Sequence, residues 1–353
     1  MSLESYGDSP GFVRFETRAL GTENVLLLAT PDGPEARRAA QEAFETLERI
    51  EQSLSKFLPQ SDVSLLNALG DSRVVRVGSE VVRLLALSRE AWELTEGAFD
   101  PTVGELMLAW GLVDMAGRVP SDAEIAALRS CCGMCHVGFD PAEGTAWFTR
   151  PGVSIDLGAI GKGYAVDAVA SSLKARGIDT GLFISGRSSI VAWGSPPDGE
   201  GWRFEIVHPL GEDTSLAEIE AEPGSLSTSG AYARRFVQGG KEYGHLLDPR
   251  TGRPAQPMKS VTVWTRSAVL GDVLSTALFV LGARALEPGG AVERLARAWT
   301  PPGEEPRASV LYAREDTSVW GGLRTGTFHL GAPGFKLCLS KESNSQGGRP
   351  SGR

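Results

Sequence analysis

The spacing of apolar positions divides the chain into a helix-rich first part and a strand-rich second part. Residues 12–17 and 25–30 read as two strands joined around Leu20-Gly21-Thr22, with polar residues at the bend. Pro34 then opens a helix with an apolar stripe at Ala40, Ala43, Leu47, Ile50 and Leu54, and Glu45 and Arg49 are spaced as an i,i+4 pair on its polar side. A second helix runs from Ser79, as N-cap, through Val82, Leu85 and Trp92 to a stop at Gly97. Ser121-Asp122-Ala123-Glu124 has the form of a capping box and begins a third, which ends at Gly133. From His136 the period shortens: residues 136–139 and 146–149 predict a hairpin, and 153–157, 181–185, 190–193, 204–207 and 216–220 predict short strands. Residues 162–176 keep a helical pattern. The segments 235–238 and 243–247 flank Gly239-Gly240 as a hairpin, 260–265 reads as a strand, and 267–281 reads as a helix closed by Gly282. Strands and helices mix without a βαβ rhythm, which predicts an α+β fold in a single large domain over 12–335, with an N-terminal extension over 1–11 and a polar tail over 336–353.

Composition narrows the function classes. The 353 residues are 41% hydrophobic and 22% charged, ordinary usage for a folded globular chain. Thirty-five Lys and Arg against 44 Asp and Glu give a net charge of −9, which lacks the positive field that nonspecific nucleic-acid binding needs. No uninterrupted apolar run approaches the roughly 20 residues that span a bilayer, so neither a nucleic-acid partner nor a transmembrane segment is expected. The first twelve residues hold no Lys or Arg and no apolar block, so no signal peptide is visible, and the sequence as written is expected in the cytoplasm. Cys131, Cys132 and Cys135 crowd together and Cys338 lies far off, a pattern without a disulfide framework.

Four groups of residues could carry chemistry. Asp272 and Thr276 present a carboxylate and a hydroxyl one helical turn apart, hard donors that suit Mg²⁺ or Ca²⁺; the plainer reading is a helix-start carboxylate beside a packed threonine. Residues 156–167, DLGAIGKGYAVD, set three glycines and Lys162 at a strand-to-helix junction, which either binds an anion or simply turns the chain. Of four histidines, His245 lies among polar turn residues in a segment running to Gly252, as a base or as a turn histidine bonded to Asp248. Cys132 to His136 has the C-x-x-C-H spacing of haem attachment, but the missing export signal and the strand pattern from His136 argue against haem.

Taken in order, the motifs are Leu20-Gly21-Thr22, then Ser55-Lys56-Phe57 with Ser64-Leu65-Leu66-Asn67, then Gly97-Ala98-Phe99-Asp100-Pro101-Thr102 and Asp156 to Gly163. Ser185-Gly186, Thr228-Ser229-Gly230, His245 to Gly252 and Asp272 to Thr276 follow. Over about residues 12–282 this succession resembles the ApbE-type FAD:protein FMN transferases. The resemblance implies that family's α+β fold of mixed strand-rich and helical layers. It also implies FAD as substrate with Mg²⁺ at its pyrophosphate, and a flavin-acceptor protein whose Thr or Ser hydroxyl takes FMN and releases AMP. By the same resemblance, Asp272, Thr276 and the carbonyl of Gly161 hold the metal, and His245 acts as general base with Asp248 able to orient it. FAD contacts fall on Leu20, Gly21, Thr22, Phe57, Asp100, Lys162, Ser185, Gly186, Arg187, Thr228, Ser229 and Gly230. Three positions depart from the family pattern: Leu20 replaces a Met, Phe57 a Tyr, and Ser185-Gly186-Arg187 stands where a glycine pair is usual. The alternatives are an FAD-binding module without transferase activity and an FAD pyrophosphate hydrolase; retention of His245, Asp272 and Thr276 favours catalysis.

Overall fold

The computed structural model describes residues 11–199, 201–210, 214–230, 235–316, 318 and 323–338. Residues 1–10 of the expected N-terminal extension and 339–353 of the expected tail lie outside the described residues. Eight strands stand in the main sheet in the order in which they occur along the chain: β1 (Val13–Ala19), β2 (Thr22–Leu28), β3 (Gly181–Ser185), β4 (Ser189–Trp193), β5 (Gly224–Gly230), β6 (Ser260–Thr265), β7 (Ala308–Glu315) and β8 (Leu323–Leu330). Every neighbouring pair is antiparallel. The helices sit in the connections: α1 (Pro34–Leu54), α2 (Asp62–Leu69), α3 (Ser79–Leu94), α4 (Gly104–Ala109), α5 (Asp122–Arg129), α6 (Gly161–Ala175), α7 (Ala268–Leu281) and α8 (Ala291–Ala298).

The sheet is the middle of three layers. Leu26, Leu28, Phe183, Val191, Val261 and Val263 face the helical layer, where α1, α6 and α7 supply the opposing apolar side chains. Val25, Leu27, Leu182, Ile184, Ile190 and Leu226 face a smaller sheet of Trp202–Val207, Ser215–Ala221 and Phe335–Cys338, whose Trp202, Phe204 and Ile219 complete that side. Burial on both faces explains why these strands read as continuous apolar runs, since each alternate side chain meets a packed layer. The same logic applies to α7, which is apolar nearly all round because the sheet, α6 and α8 enclose it. The segment Ala268–Leu286 is apolar enough by composition to cross a membrane, yet most of it is buried inside the protein.

Several expectations are corrected. Residues 153–157 form no strand beyond one bridge between Val103 and Ser154. The segment is extended because Asn67 imitates a neighbouring strand: its Nδ2 donates to the Ile155 carbonyl at 2.9 Å, and its Oδ1 accepts from the Ile155 amide at 2.7 Å. Arg49 pairs with Glu80 rather than Glu45, which accepts from Gln41. Gly78, not Ser79, caps α3, and His136 lies in a 3₁₀ turn. Two stretches to which the sequence pattern assigned no element are also regular: Gly224–Gly230 is a central strand, and the chain after residue 289 contains α8, β7 and β8. Residues 336–338, placed in the tail, belong to the strand Phe335–Cys338.

Candidate functional site

The starts of α6 and α7 are bonded to each other over the sheet. Asp272 is buried on α7; its Oδ2 accepts from the Gly163 amide at 2.7 Å and its Oδ1 from the Ser189 hydroxyl of β4 at 2.9 Å. Burial pushes its carboxyl pKa up, and the positive charge of Lys162 opposes that shift most strongly. Gly163 is required by the close approach, because a Cβ there would lie 2.3 Å from the Ala268 carbonyl oxygen. From α6, Asp167 accepts from the amides of Ala268 at 2.9 Å and Val269 at 3.1 Å and from the Ser267 hydroxyl at 2.8 Å, tying down the start of α7. Burial likewise raises the Asp167 pKa.

Thr276 lies one turn beyond Asp272 and is not fully buried, unlike most of α7. On β5, the Ser229 hydroxyl donates to that of Ser275 at 3.0 Å, and Ser275 donates to the Asp272 carbonyl at 3.1 Å. Thr228 shares a 2.9 Å hydroxyl contact with Thr262, and its amide donates to the Ser188 carbonyl at 2.7 Å. The bend between β3 and β4 thereby joins β5 on one side. On the other it meets the first hairpin: the Gly186 amide donates to the Glu23 carbonyl at 2.8 Å, and a Cβ on Gly186 would approach Thr22 Oγ1 to 2.7 Å. That hairpin turns through Leu20 and Gly21, at φ of 56° and 68°, and the Asn24 side chain closes it by donating to the carbonyls of Ala19 and Thr22. Leu20, Gly21, Thr22, Ser185, Gly186, Thr228, Ser229, Lys162 and Asp272 are thus brought together around one bend. Arg187 projects from it, exposed and without a hydrogen bond or ion pair among the described residues. Gly230 ends β5, buried and paired with Ser260.

The donors expected from the sequence, Asp272, Thr276 and the Gly161 carbonyl, include one carboxylate, and the described residues hold no cluster of three or more His, Cys, Asp or Glu able to bind a metal. Such a sparse, hard set fits Mg²⁺, which keeps its waters and takes ligands from a bound phosphate, better than a metal that needs an all-protein cage. Phe57 is 66% exposed, with the Lys56 ammonium 5.2 Å from its ring centre. Lys56 itself pairs with Asp156 at 2.7 Å, and Asp156 also accepts from the Gly158 amide at 2.8 Å, which fixes the junction before α6.

His245 is half-buried after the strand Lys241–Gly244. The idea that Asp248 orients it is not what the turn shows: the Asp248 carboxylate is engaged at 2.9 Å by both Nε and a terminal nitrogen of Arg250, and by the Arg250 amide. The turn is also anchored from outside, by Trp110 Nε1 on the Gly252 carbonyl and Arg129 on the Arg250 carbonyl, each at 2.9 Å. A cavity of about 410 Å³ opens between this turn and the ends of α3 and α5, lined by Trp92, Asp100, Arg129, Cys132 and Arg250 among others. Asp100 accepts from the amide and the hydroxyl of Thr102, yet burial pushes its pKa up to about 6. Burial also pushes the Cys132 thiol up to about 12, which leaves it unreactive.

Ser189, Asn24 and Asp167 escaped the sequence reading as site residues. The available signal for Ser189 was a lone hydroxyl opening the apolar strand Ser189–Trp193.

The sequence profile of the ApbE family matches residues 20–288. The FAD:protein FMN transferase of Vibrio cholerae serotype O1 is 33% identical over 266 residues, covering 74% of this chain and 78% of that protein. That of Escherichia coli K12 is 29% identical over 276 residues, covering 76% and 78%. The crystal structure of the ApbE protein of Thermotoga maritima matches with a TM-score of 0.75 at 31% identity, over 85% of this chain and 94% of that one. The flavin transferase ApbE of Vibrio cholerae matches with a TM-score of 0.73 at 28% identity, over 90% and 97%. Because the profile spans every one of the clustered motifs and the solved relatives share the layered architecture that clusters them, the chain belongs to the ApbE family.

Proposed function

We propose that this enzyme is an Mg²⁺-dependent FAD:protein FMN transferase that moves FMN from FAD to a Thr or Ser hydroxyl of an acceptor protein and releases AMP. The names of its relatives support the transferase activity. The observation that carries the reading is the Asp272 carboxylate, held at the α6–α7 junction beside Lys162 and below the bend that joins Thr22, Gly186 and Thr228. Asp272, Thr276 and the Gly161 carbonyl would hold Mg²⁺, which supplies charge neutralisation on the diphosphate when bound. Lys162 adds a second positive charge, and the amides at the start of α6 offer donors to phosphate oxygen. His245 takes the proton of the acceptor hydroxyl as its oxygen bonds to the FMN-side phosphorus, while the bond from that phosphorus to the AMP oxygen breaks. Asp248 acts through Arg250 to hold the turn that carries His245.

The test is incubation with FAD, Mg²⁺ and a set of Thr- and Ser-containing peptides, followed by mass spectrometry. A peptide bearing FMN, with AMP in equal amount and both lost on adding EDTA, is the expected result. AMP and free FMN without any adduct would make the protein a hydrolase, and retained FAD without turnover would make it a binding module. Asp272→Asn should lower turnover by at least ~10²-fold, because the charge that stabilises the transferring phosphoryl group is lost.

A further inference from the structure

A row of polar side chains crosses the otherwise apolar sheet under the α6–α7 junction. Asn24 on β2, Ser185 on β3, Ser189 on β4 and Ser227 on β5 are direct cross-strand neighbours, and all four are fully buried. Among the described residues, Asn24 Oδ1 and the hydroxyls of Ser185 and Ser227 have no hydrogen-bond partner. Ser189 differs from the others in the row, because its hydroxyl donates to Asp272 Oδ1 at 2.9 Å. Ser227 approaches the same carboxylate without reaching hydrogen-bond geometry.

The two bonds to Asp272 come from different layers and reach different oxygens. Gly163 holds Oδ2 from the helical layer, and Ser189 holds Oδ1 from the sheet. One such bond leaves a carboxylate free to swing about its Cβ–Cγ axis, whereas two on separate oxygens fix the plane and hence the directions of the unused lone pairs. A buried hydroxyl that served packing alone would have no reason to be aimed at the one carboxylate of the donor set. We infer that Ser189 is a positioning residue for the metal-binding reaction: it sets the carboxylate plane of Asp272 for Mg²⁺. This rests on the reading of Asp272 as a metal ligand.

The expected effect of Ser189→Ala is Mg²⁺ affinity weakened by roughly 10–100-fold, the range for lost partners of metal ligands. Affinity is read by calorimetric titration of Mg²⁺ into the FAD-saturated protein, and turnover is followed against Mg²⁺ concentration. Saturating Mg²⁺ should restore most of kcat in this variant, and Ser189→Thr, which keeps the hydroxyl, should recover the parent affinity. Ser225→Ala is the control, because Ser225 is equally buried on the neighbouring strand and its hydroxyl has no partner among the described residues. It should leave Mg²⁺ affinity unchanged. If Ser189→Ala does not fold, Ser189→Cys, similar in shape with a weaker donor, carries the same expectation. Parent-like Mg²⁺ affinity in a folded Ser189→Ala overturns the inference and leaves the transferase reading standing. A parent protein that binds no Mg²⁺ with FAD present overturns the metal reading and this inference together.

Discussion

Asp167 and Asp272 brace each other's helices. Asp167, on α6, receives the first amides of α7, and Asp272, on α7, receives the Gly163 amide at the start of α6. Each carboxylate thus satisfies donors that a helix start leaves without intrahelical partners, and the two bonds sets fix the helices' relative position. The position of the candidate metal ligand is therefore set from a residue a full turn away from the chemistry.

Asp167→Ala should lower both stability and Mg²⁺ affinity. It leaves two amides and the Ser267 hydroxyl without their acceptor, a cost of about 1–3 kcal/mol. Asp167→Asn, which retains one acceptor oxygen, should lose less of both. Urea unfolding and Mg²⁺ titration of the two variants check this, and a loss of stability with unaltered Mg²⁺ affinity would separate the brace from the metal.

His245→Ala should keep FAD binding and lower FMN transfer by roughly 10²–10⁴-fold, the contribution of a general base. FAD fluorescence titration and single-turnover transfer measure the two quantities separately. Parent-rate transfer would return His245 to a purely structural place in the turn.

Asp100 makes apo-protein stability depend on pH in an unusual direction. Its folded pKa of about 6 lies above the ordinary 3.8, so the folded state binds the proton more tightly than the unfolded state. Its contribution is therefore most favourable below about pH 4, falls as pH rises towards 6, and stays at its least favourable above that. Asp100→Asn can keep accepting from Thr102 and carries no charge, so it should be more stable than the parent at about pH 7.5 by at most ~3 kcal/mol. The advantage should shrink to about 1 kcal/mol at about pH 4.5. Urea titrations of both proteins at the two pH values test the sign.

Arg187→Gly should weaken FAD binding by roughly tenfold, the loss of about one charge-assisted hydrogen bond to the pyrophosphate. The guanidinium is exposed and unpaired among the described residues, so it is available to a bound phosphate. Tighter FAD binding in the variant would mean that Arg187 obstructs the flavin, and unchanged binding would mean that it faces solvent.

The sequence is most readable where local pattern and tertiary position agree. Helix α1 shows its buried stripe directly, and Gly239-Gly240, at φ of 61° and 75°, marks its hairpin without help from the rest of the fold. The strand Gly224–Gly230 was hidden because Ser225, Ser227, Thr228 and Ser229 carry the composition of a loop; the neighbours β4 and β6 make it a strand. Residues 153–157 have strand composition but pair through Asn67, a side chain far away in sequence. In the site, the succession of motifs identified the elements that converge, including Asp272 and Lys162. The partners were not legible: nothing local ties Ser189 to Asp272 or gives Asp248 to Arg250 in preference to His245.

The matched family region stops at residue 288, while β7 begins at Ala308 and pairs along β6 with Val310 and Leu311 buried on opposite faces. A chain ended at the family boundary would present β6, apolar on both sides and unpaired along one edge, to other molecules. Such an edge is a template for adding foreign strands and for aggregation. The outermost strand that replaces it, β8, alternates exposed and half-buried positions and carries Arg324, features that resist further addition. The segment after the matched region therefore acts as a guard rail for the sheet, covering the apolar edge of β6 while contributing none of the candidate site residues.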